Sequence, residues 1–375
     1  MASGPPSRRS ALGYRPALDG LRALAVLLVV TFHATVYLVS QASAERWIPG
    51  GFLGVDIFFV LSGFLITTIL LEEHQRRAAI SLGSFYARRA LRLLPAVAGL
   101  LLAHAVLAVV AGSDLGLEAR TAGAVATYSL NWVIAGGGEV AAGLGHLRSL
   151  SIEEQFYFAW PVLLFFALRR RRPTRAIVVA AILGIVWATG IRAWLWTQDA
   201  GWEAIYVRTD ARIDELLMGA LLAVAFQRGW QLPTRYRHLG IAGLAVLLLC
   251  AVVVPADSGW LFIGGGLTVI GLATALLVAS LLVADGPLTR MFEWRPAVQL
   301  GKASYSLYLW RAPVFVAVSA HLARRSVTER VVVGLVGCAL ATLASYRLIE
   351  VPVARYRRRL AARREATPDL QRAPS

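Results

Sequence analysis

The chain has 375 residues but only one lysine, Lys302, and two cysteines, Cys250 and Cys338. The cysteines lie in separate apolar runs, which excludes a disulfide framework and leaves no metal-binding spacing. They read as packing residues, and no metal is expected. Charged residues make up 16% of the chain against 57% hydrophobic, and the mean hydropathy is +0.62. That balance excludes a soluble domain of any size and places the chain among polytopic membrane proteins. No internal repeat is found. The first apolar run is long and no small-residue cleavage pattern follows it, so no signal peptide is expected. The net charge of +16 is almost entirely arginine. These arginines sit between apolar runs, which points to membrane topology rather than to nucleic acid.

Ten apolar segments are near the length needed to cross a bilayer. They run approximately over 18–39, 52–71, 93–111, 152–168, 176–196, 213–227, 239–255, 260–283, 299–320 and 331–350. An eleventh, 121–135, is short and ends in three glycines. With the N-terminus inside and 121–135 not crossing, cytoplasmic segments hold 25 of the cationic residues and external ones 8. Letting 121–135 cross places Arg169 to Arg172 outside and reverses that bias. The expectation is an all-α polytopic fold of about ten transmembrane helices with both termini cytoplasmic. A short tail (1–17) precedes a transmembrane domain (18–350), and 112–151 forms an external loop or re-entrant hairpin. A basic tail (351–375) lies against anionic lipid.

Ionisable groups inside spans are costly and mark candidate sites. The first span carries Asp19, Arg22 and His33. Arg22 and His33 are eleven residues apart, so they share a helix face at a separation of roughly 16 Å along the axis. Each also has a plain structural reading: Arg22 snorkels to headgroups and His33 bonds a neighbouring helix. Arg88, Arg89 and Arg92 open the third span, with Arg89 and Arg92 on one face. Guanidinium forks held on a helix suit a phosphate-bearing cytoplasmic ligand; ordinary positive-inside arginine is the alternative. On the external side, Asp56 opens the second span, and Glu153 and Glu154 enter the fourth. Adjacent carboxylates on a helix diverge, so at most one faces a given site, and His33 is a candidate partner. Asp210, Arg212 and Asp214 begin the sixth span. They are compatible with hydroxyl binding or with an ion-pair network that includes Arg208. Lys302, Ser304, Tyr305, Ser306 and Tyr308 open the ninth span, as a hydrophilic path or as interhelical glue.

In order, the blocks ALDGLRALAVLLVVTFH, GGFLGVDIFFVLSGFLI, SFYARRALRLLPA, LRSLSIEEQFYFAWP, RTDARIDELLMG, LGKASYSLYLW and SYRLIEVP resemble the acyltransferase-3 family of bacterial integral-membrane O-acyltransferases. The likeness covers about residues 16–356. The family's arginine–ten residues–histidine element corresponds to Arg22 and His33, its Arg-x-x-Arg element to Arg89 and Arg92, and its acidic element to Glu153 and Glu154. Two positions depart: Arg148 stands where the family often has tryptophan, and Arg311 where it often has histidine. Some family members append an extracellular esterase-like domain; this chain ends soon after the tenth span, so it is expected to act alone or with a separate partner.

The resemblance implies transfer of an acyl group, commonly acetyl, to a hydroxyl of a carbohydrate or other hydroxylated metabolite, in a bacterial inner membrane. Acyl-CoA fits as the donor co-substrate. Its phosphates are expected on Arg22, Arg88, Arg89 and Arg92, with His33 as general base and Glu153 or Glu154 fixing its tautomer. Asp56, Asp210, Arg212, Asp214, Tyr305 and Tyr308 are candidate acceptor contacts. A transporter or flippase for a glycan or lipid-linked intermediate is the competing class, although no paired broken helices in two halves are visible.

Overall fold

The computed structural model describes residues 12–39, 47–283 and 286–366. The expected tails beyond these limits and most of the loop after the first span lie outside the described residues. All regular structure among the described residues is helical. Ten long helices, α1 to α10, fall on the ten apolar segments. They are α1 (Pro16–Ala34), α2 (Gly54–Arg77), α3 (Leu82–Ala111), α4 (Arg148–Ala167), α5 (Pro173–Thr197), α6 (Ile213–Gln227), α7 (Leu239–Val253), α8 (Gly266–Leu282), α9 (Ser304–His321) and α10 (Val327–Ser345). Six of them, α1, α2, α3, α5, α7 and α10, are long and apolar enough to cross a membrane. The other four are shorter or more polar. The 121–135 segment forms two short helices, Leu115–Ala126 and Leu130–Ala135, neither long enough to span.

Local sequence sets the helix ends. Pro16 and Pro173 occupy first-turn positions, where their missing N–H costs nothing. Asp114 caps Leu115–Ala126 by accepting from the Gly116 and Leu117 amides. Ser326 and Glu329 form a reciprocal capping box at the start of α10. Two helices change pitch at functional-looking places. After His33, α1 widens into a π-helical turn over Thr35–Val39, and α10 does the same over Tyr346–Glu350 before Val351–Ala366.

Far more of α2 is buried than of the other five spanning-length helices, whose outward faces carry large apolar side chains. The partner that packs most extensively on α2 is α6. Gly63 and Gly219 permit this, because a Cβ at Gly63 would meet the Leu216 carbonyl and one at Gly219 would meet the Val60 carbonyl. Backbone then runs against backbone. Around that seam, α1 packs on α2, α9 and the short helix Arg295–Lys302.

Two buried ion pairs lock the seam. Arg192 of α5 donates from Nη1 and Nη2 to Asp214 of α6 at 2.7 and 2.8 Å, with both side chains fully inaccessible. Arg212 donates to Asp56 of α2 at 2.6 Å, stacks 4.0 Å from the Tyr206 ring centroid, and lies 3.6 Å from Glu215. Asp56 and Arg212 are thus engaged with each other, and Asp214 with Arg192 of α5. The expected acceptor contacts at these positions are instead ion-paired, because a carboxylate buried this deeply is stabilised by a guanidinium brought against it.

Asp214→Ala is expected to cost about 3–5 kcal/mol by stranding Arg192, and Gly219→Leu about 1–3 kcal/mol by overpacking. Arg192→Met combined with Asp214→Leu should recover most of the first loss. Thermal midpoints of detergent-purified variants, read by size-exclusion chromatography, test all three.

Candidate functional site

A cavity of about 310 Å³ lies between α1, α2, α3, α4 and α9. Its wall on α2 is apolar (Phe58, Phe59, Leu65, Ile66, Ile69), interrupted by Ser62. Its other walls bring together Arg22 of α1, Arg89 and Arg92 of α3, Glu153 and Tyr157 of α4, Lys302 and Tyr305 at the base of α9, Tyr308 above them, and Glu350. Four cations thus face two carboxylates in one enclosure.

The cations are not equivalent. Arg92 is exposed at the mouth and makes no ion pair among the described residues. Lys302, also exposed, reaches over the Tyr14 ring with Nζ 5.5 Å from its centroid. Arg22 has only Asp19, at 3.7 Å, and its buried Nε has no hydrogen-bond partner. Arg89 is already committed: Nε and Nη2 bind Glu154 at 3.1 and 2.7 Å, and its guanidinium lies 3.1 Å from the centroid of the Tyr157 ring. Arg88 turns away from the cavity to Glu73 at 3.3 Å. Arg88 and Arg89 point about 100° apart on the helix, so they reach different carboxylates, Glu73 and Glu154.

The acidic block on α4 resolves by the same geometry. Glu153 accepts from the hydroxyls of Ser62 and Tyr157 inside the cavity. Glu154 faces Arg89. Gln155 donates to the Tyr128 carbonyl at 2.6 Å and to Asn131 Oδ1 at 2.9 Å, holding the short-helix loop against α4. Three consecutive side chains therefore reach α2, α3 and the loop. Neither glutamate is bonded to His33, contrary to the expected pairing. Burial pushes the Tyr128 phenol in that loop up to about 12, with Glu154 adding to it.

His33 is half-buried and is not part of the cavity wall. Its Nδ1 lies 2.7 Å from the Val29 carbonyl, one turn back on α1. That contact makes Nδ1 the protonated nitrogen and leaves Nε2 as the basic one. The backbone therefore does what a carboxylate was expected to do. Tyr37 stacks on the imidazole at 5.9 Å. The contact path to the cavity runs through α9: Arg311 Nε approaches His33 Nδ1 at 3.5 Å, and its guanidinium lies 3.9 Å from the ring centroid of Tyr308, a cavity residue. Tyr308 donates to the His146 carbonyl at 2.7 Å and also meets the Ser149 hydroxyl. The His146 ring is held between the Gly143 and Leu309 carbonyls, and burial, reinforced by Arg311, keeps its imidazole well below the usual value.

Asp210 is remote from the cavity wall. It receives Arg208 through two nitrogens at 3.0 and 2.7 Å, a hydrogen bond that raises the Arg208 guanidinium above its ordinary range. Of the expected contacts, Arg22, Arg89, Arg92, Glu153, Tyr305 and Tyr308 meet at one place. His33 stands next to it, and Arg88, Asp56, Asp210, Arg212 and Asp214 do not take part. Glu350 was not singled out from sequence. A carboxylate closing an apolar span was the available signal, and the Ser306 hydroxyl now donates to it at the cavity wall.

Apolar helices of spanning length, three of them bordering a cation-rich cavity, mark a multi-pass membrane protein. The chain belongs to the acyltransferase-3 family: an acyltransferase domain model matches residues 15–350. It is similar to the O-acetyltransferase OatA of Staphylococcus aureus (strain NCTC 8325 / PS 47), with 31% identity over 355 residues, covering 91% of this chain and 57% of that protein. It is also similar to the putative O-acetyltransferase SAR0937 of S. aureus (strain MRSA252), with 32% identity over 356 residues, covering 90% of this chain and 57% of that one. The chain therefore spans little more than half the length of these curated relatives. No solved structure matches it.

Arg89→Ala should lower the thermal midpoint by several degrees, because it strands Glu154 in a site where both side chains are almost inaccessible. Arg92→Ala, which breaks no ion pair, should leave the midpoint within about a degree of wild type. Differential scanning fluorimetry in detergent separates the two.

Proposed function

We propose that the protein is a membrane-embedded O-acyltransferase. It moves an acyl group, acetyl first among candidates, from acyl-CoA to a hydroxyl of a carbohydrate or other hydroxylated acceptor. The observation that carries this reading is the cavity itself. Arg92 and Lys302 face it with no carboxylate partner among the described residues, and Arg22 with Asp19 alone at 3.7 Å, which leaves cationic capacity for a ligand bearing several phosphates. Its volume and apolar α2 wall suit a flexible pantetheine arm. Membership of the family and the names of the two relatives support the reaction class.

In this reading the chain crosses a bacterial cell membrane ten times, both termini are cytoplasmic, and the cationic mouth faces the cytosol. Arg22, Arg92 and Lys302 hold the donor phosphates, while Arg89 positions the α4 wall through Glu154 and lends only its remaining Nη1. Lysine at 302 joins the clamp as a point charge, a role only weakly visible in sequence. The thioester lies along α1 toward His33. His33 Nε2 takes the acceptor hydroxyl proton, its tautomer fixed by Val29. Tyr308 and Arg311 stand on the contact path between the cavity and His33, so a shift of the Tyr308 ring joins the two. Glu153, bonded to Ser62 and Tyr157, shapes the cavity wall rather than orienting the base. Tyr305, which donates to the Leu93 carbonyl at 3.2 Å, holds α9 against α3.

Purified protein incubated with radiolabelled acetyl-CoA and hydroxylated carbohydrate acceptors is expected to yield labelled ester. His33→Ala should abolish transfer while abundance and thermal midpoint are retained. An active His33→Ala enzyme would remove the proposed base. Arg22→Ala with Arg92→Ala should raise the donor KM by about tenfold or more, since each loses a charge-assisted contact; an unchanged KM refutes the phosphate clamp. No transfer from any acyl thioester, together with movement of labelled glycan across proteoliposomes, points to a transporter instead.

A further inference from the structure

Three arginines are the largest side chains with under 2% exposure: Arg192, Arg212 and Arg311. The first two have carboxylates at hydrogen-bond distance, Asp214 and Asp56. Arg311 has none among the described residues. Its Nη1 donates to the Tyr308 carbonyl, its Nε faces His33 Nδ1 at 3.5 Å, and its Nη2 donates to no described residue. A buried guanidinium without a counter-charge is costly, and an intramembrane charge is retained where its field is used. Here the field falls on two imidazoles, His33 on α1 at 3.5 Å and His146, whose ring is held by the Gly143 and Leu309 carbonyls.

We propose that Arg311 stabilises the oxyanion formed during acyl transfer at His33, a role that rests on the O-acyltransferase reading. His33 Nε2 removes the proton from the acceptor hydroxyl as its oxygen bonds to the thioester carbonyl carbon. The carbonyl π pair moves onto its oxygen, and the unoccupied Nη2 of Arg311 donates to that oxygen. Collapse re-forms the C=O bond and breaks the C–S bond. The departing thiolate takes the proton back from the His33 imidazolium, so atoms and charge balance without another reactant. Two observations support the assignment. The guanidinium is held before the reaction, by the Tyr308 carbonyl on one edge and the Tyr308 ring beneath, so it need not reorganise as charge develops. No carboxylate among the described residues lies close enough to neutralise it, whereas a structural arginine such as Arg192 is fully matched.

The test uses the full chain in detergent, acetyl-CoA, and an acceptor that wild type acylates. Arg311→Met is expected to lower kcat by about 10²–10³-fold, the loss typical of removing one oxyanion donor. The donor KM should stay within about twofold. The thermal midpoint should equal or exceed that of wild type, because an unmatched buried charge is gone. Arg311→Lys, which keeps the charge but not the fork, should recover part of the rate. A kcat for Arg311→Met within about threefold of wild type overturns the role. So does a midpoint that falls together with kcat and is not restored in Arg311→Lys, which is the behaviour of a packing residue. An active wild type with an inactive His33→Ala and an active Arg311→Met sinks this role alone. A wild type inactive with every thioester donor sinks the acyltransferase reading and this role together.

Discussion

A guanidinium shut away from water must find an opposite charge or serve as one, and the architecture follows from how each arginine meets that demand. Arg192 and Arg212 are matched by carboxylates, and the two pairs tie α5, α6 and α2 into a seam closed by Gly63 and Gly219. Arg89 is matched by Glu154 and holds α3 to α4. Arg22 and Arg92, with Lys302, stay largely unmatched and face the cavity. The division between matched and unmatched cations is a division between helix seams and cavity wall.

The cavity inherits its shape from that scaffold. Its α2 wall is rigid because α2 is fixed from behind by α6, and its α4 wall is rigid because Glu153, Glu154 and Gln155 each hold a different neighbour. His33 is oriented by its own helix through Val29, which needs no contribution from another element. Tyr308 is the most contingent part of the enclosure. Its hydroxyl is tied to Ser149 and the His146 carbonyl, its backbone carbonyl to Arg311, and its ring faces the cavity.

The helices were legible because a long apolar run is a local, additive signal, and each of the ten segments coincides with a long helix. The i,i+3 spacing of Arg89 and Arg92 was legible for the same reason. The partnerships were not. Arg212 meets Asp56 across 156 positions and Arg89 meets Glu154 across 65, and such pairings depend on the relative rotation of packed helices, which hydropathy does not carry. Arg311 was visible as a residue but not as an isolated charge, because isolation is a property of everything around it. The expected bond from His33 to an acidic partner failed on a simpler point. A carbonyl one turn back was nearer than any side chain.

The π-helical turn over Thr35–Val39 begins two residues beyond His33. Such a turn accommodates an extra residue without breaking the helix. Before it, the phase from Arg22 to His33 is that of an uninterrupted α-helix. An insertion or deletion at this turn can therefore be absorbed during divergence while the Arg22-to-His33 spacing, set wholly by the α-helical residues before it, stays constant.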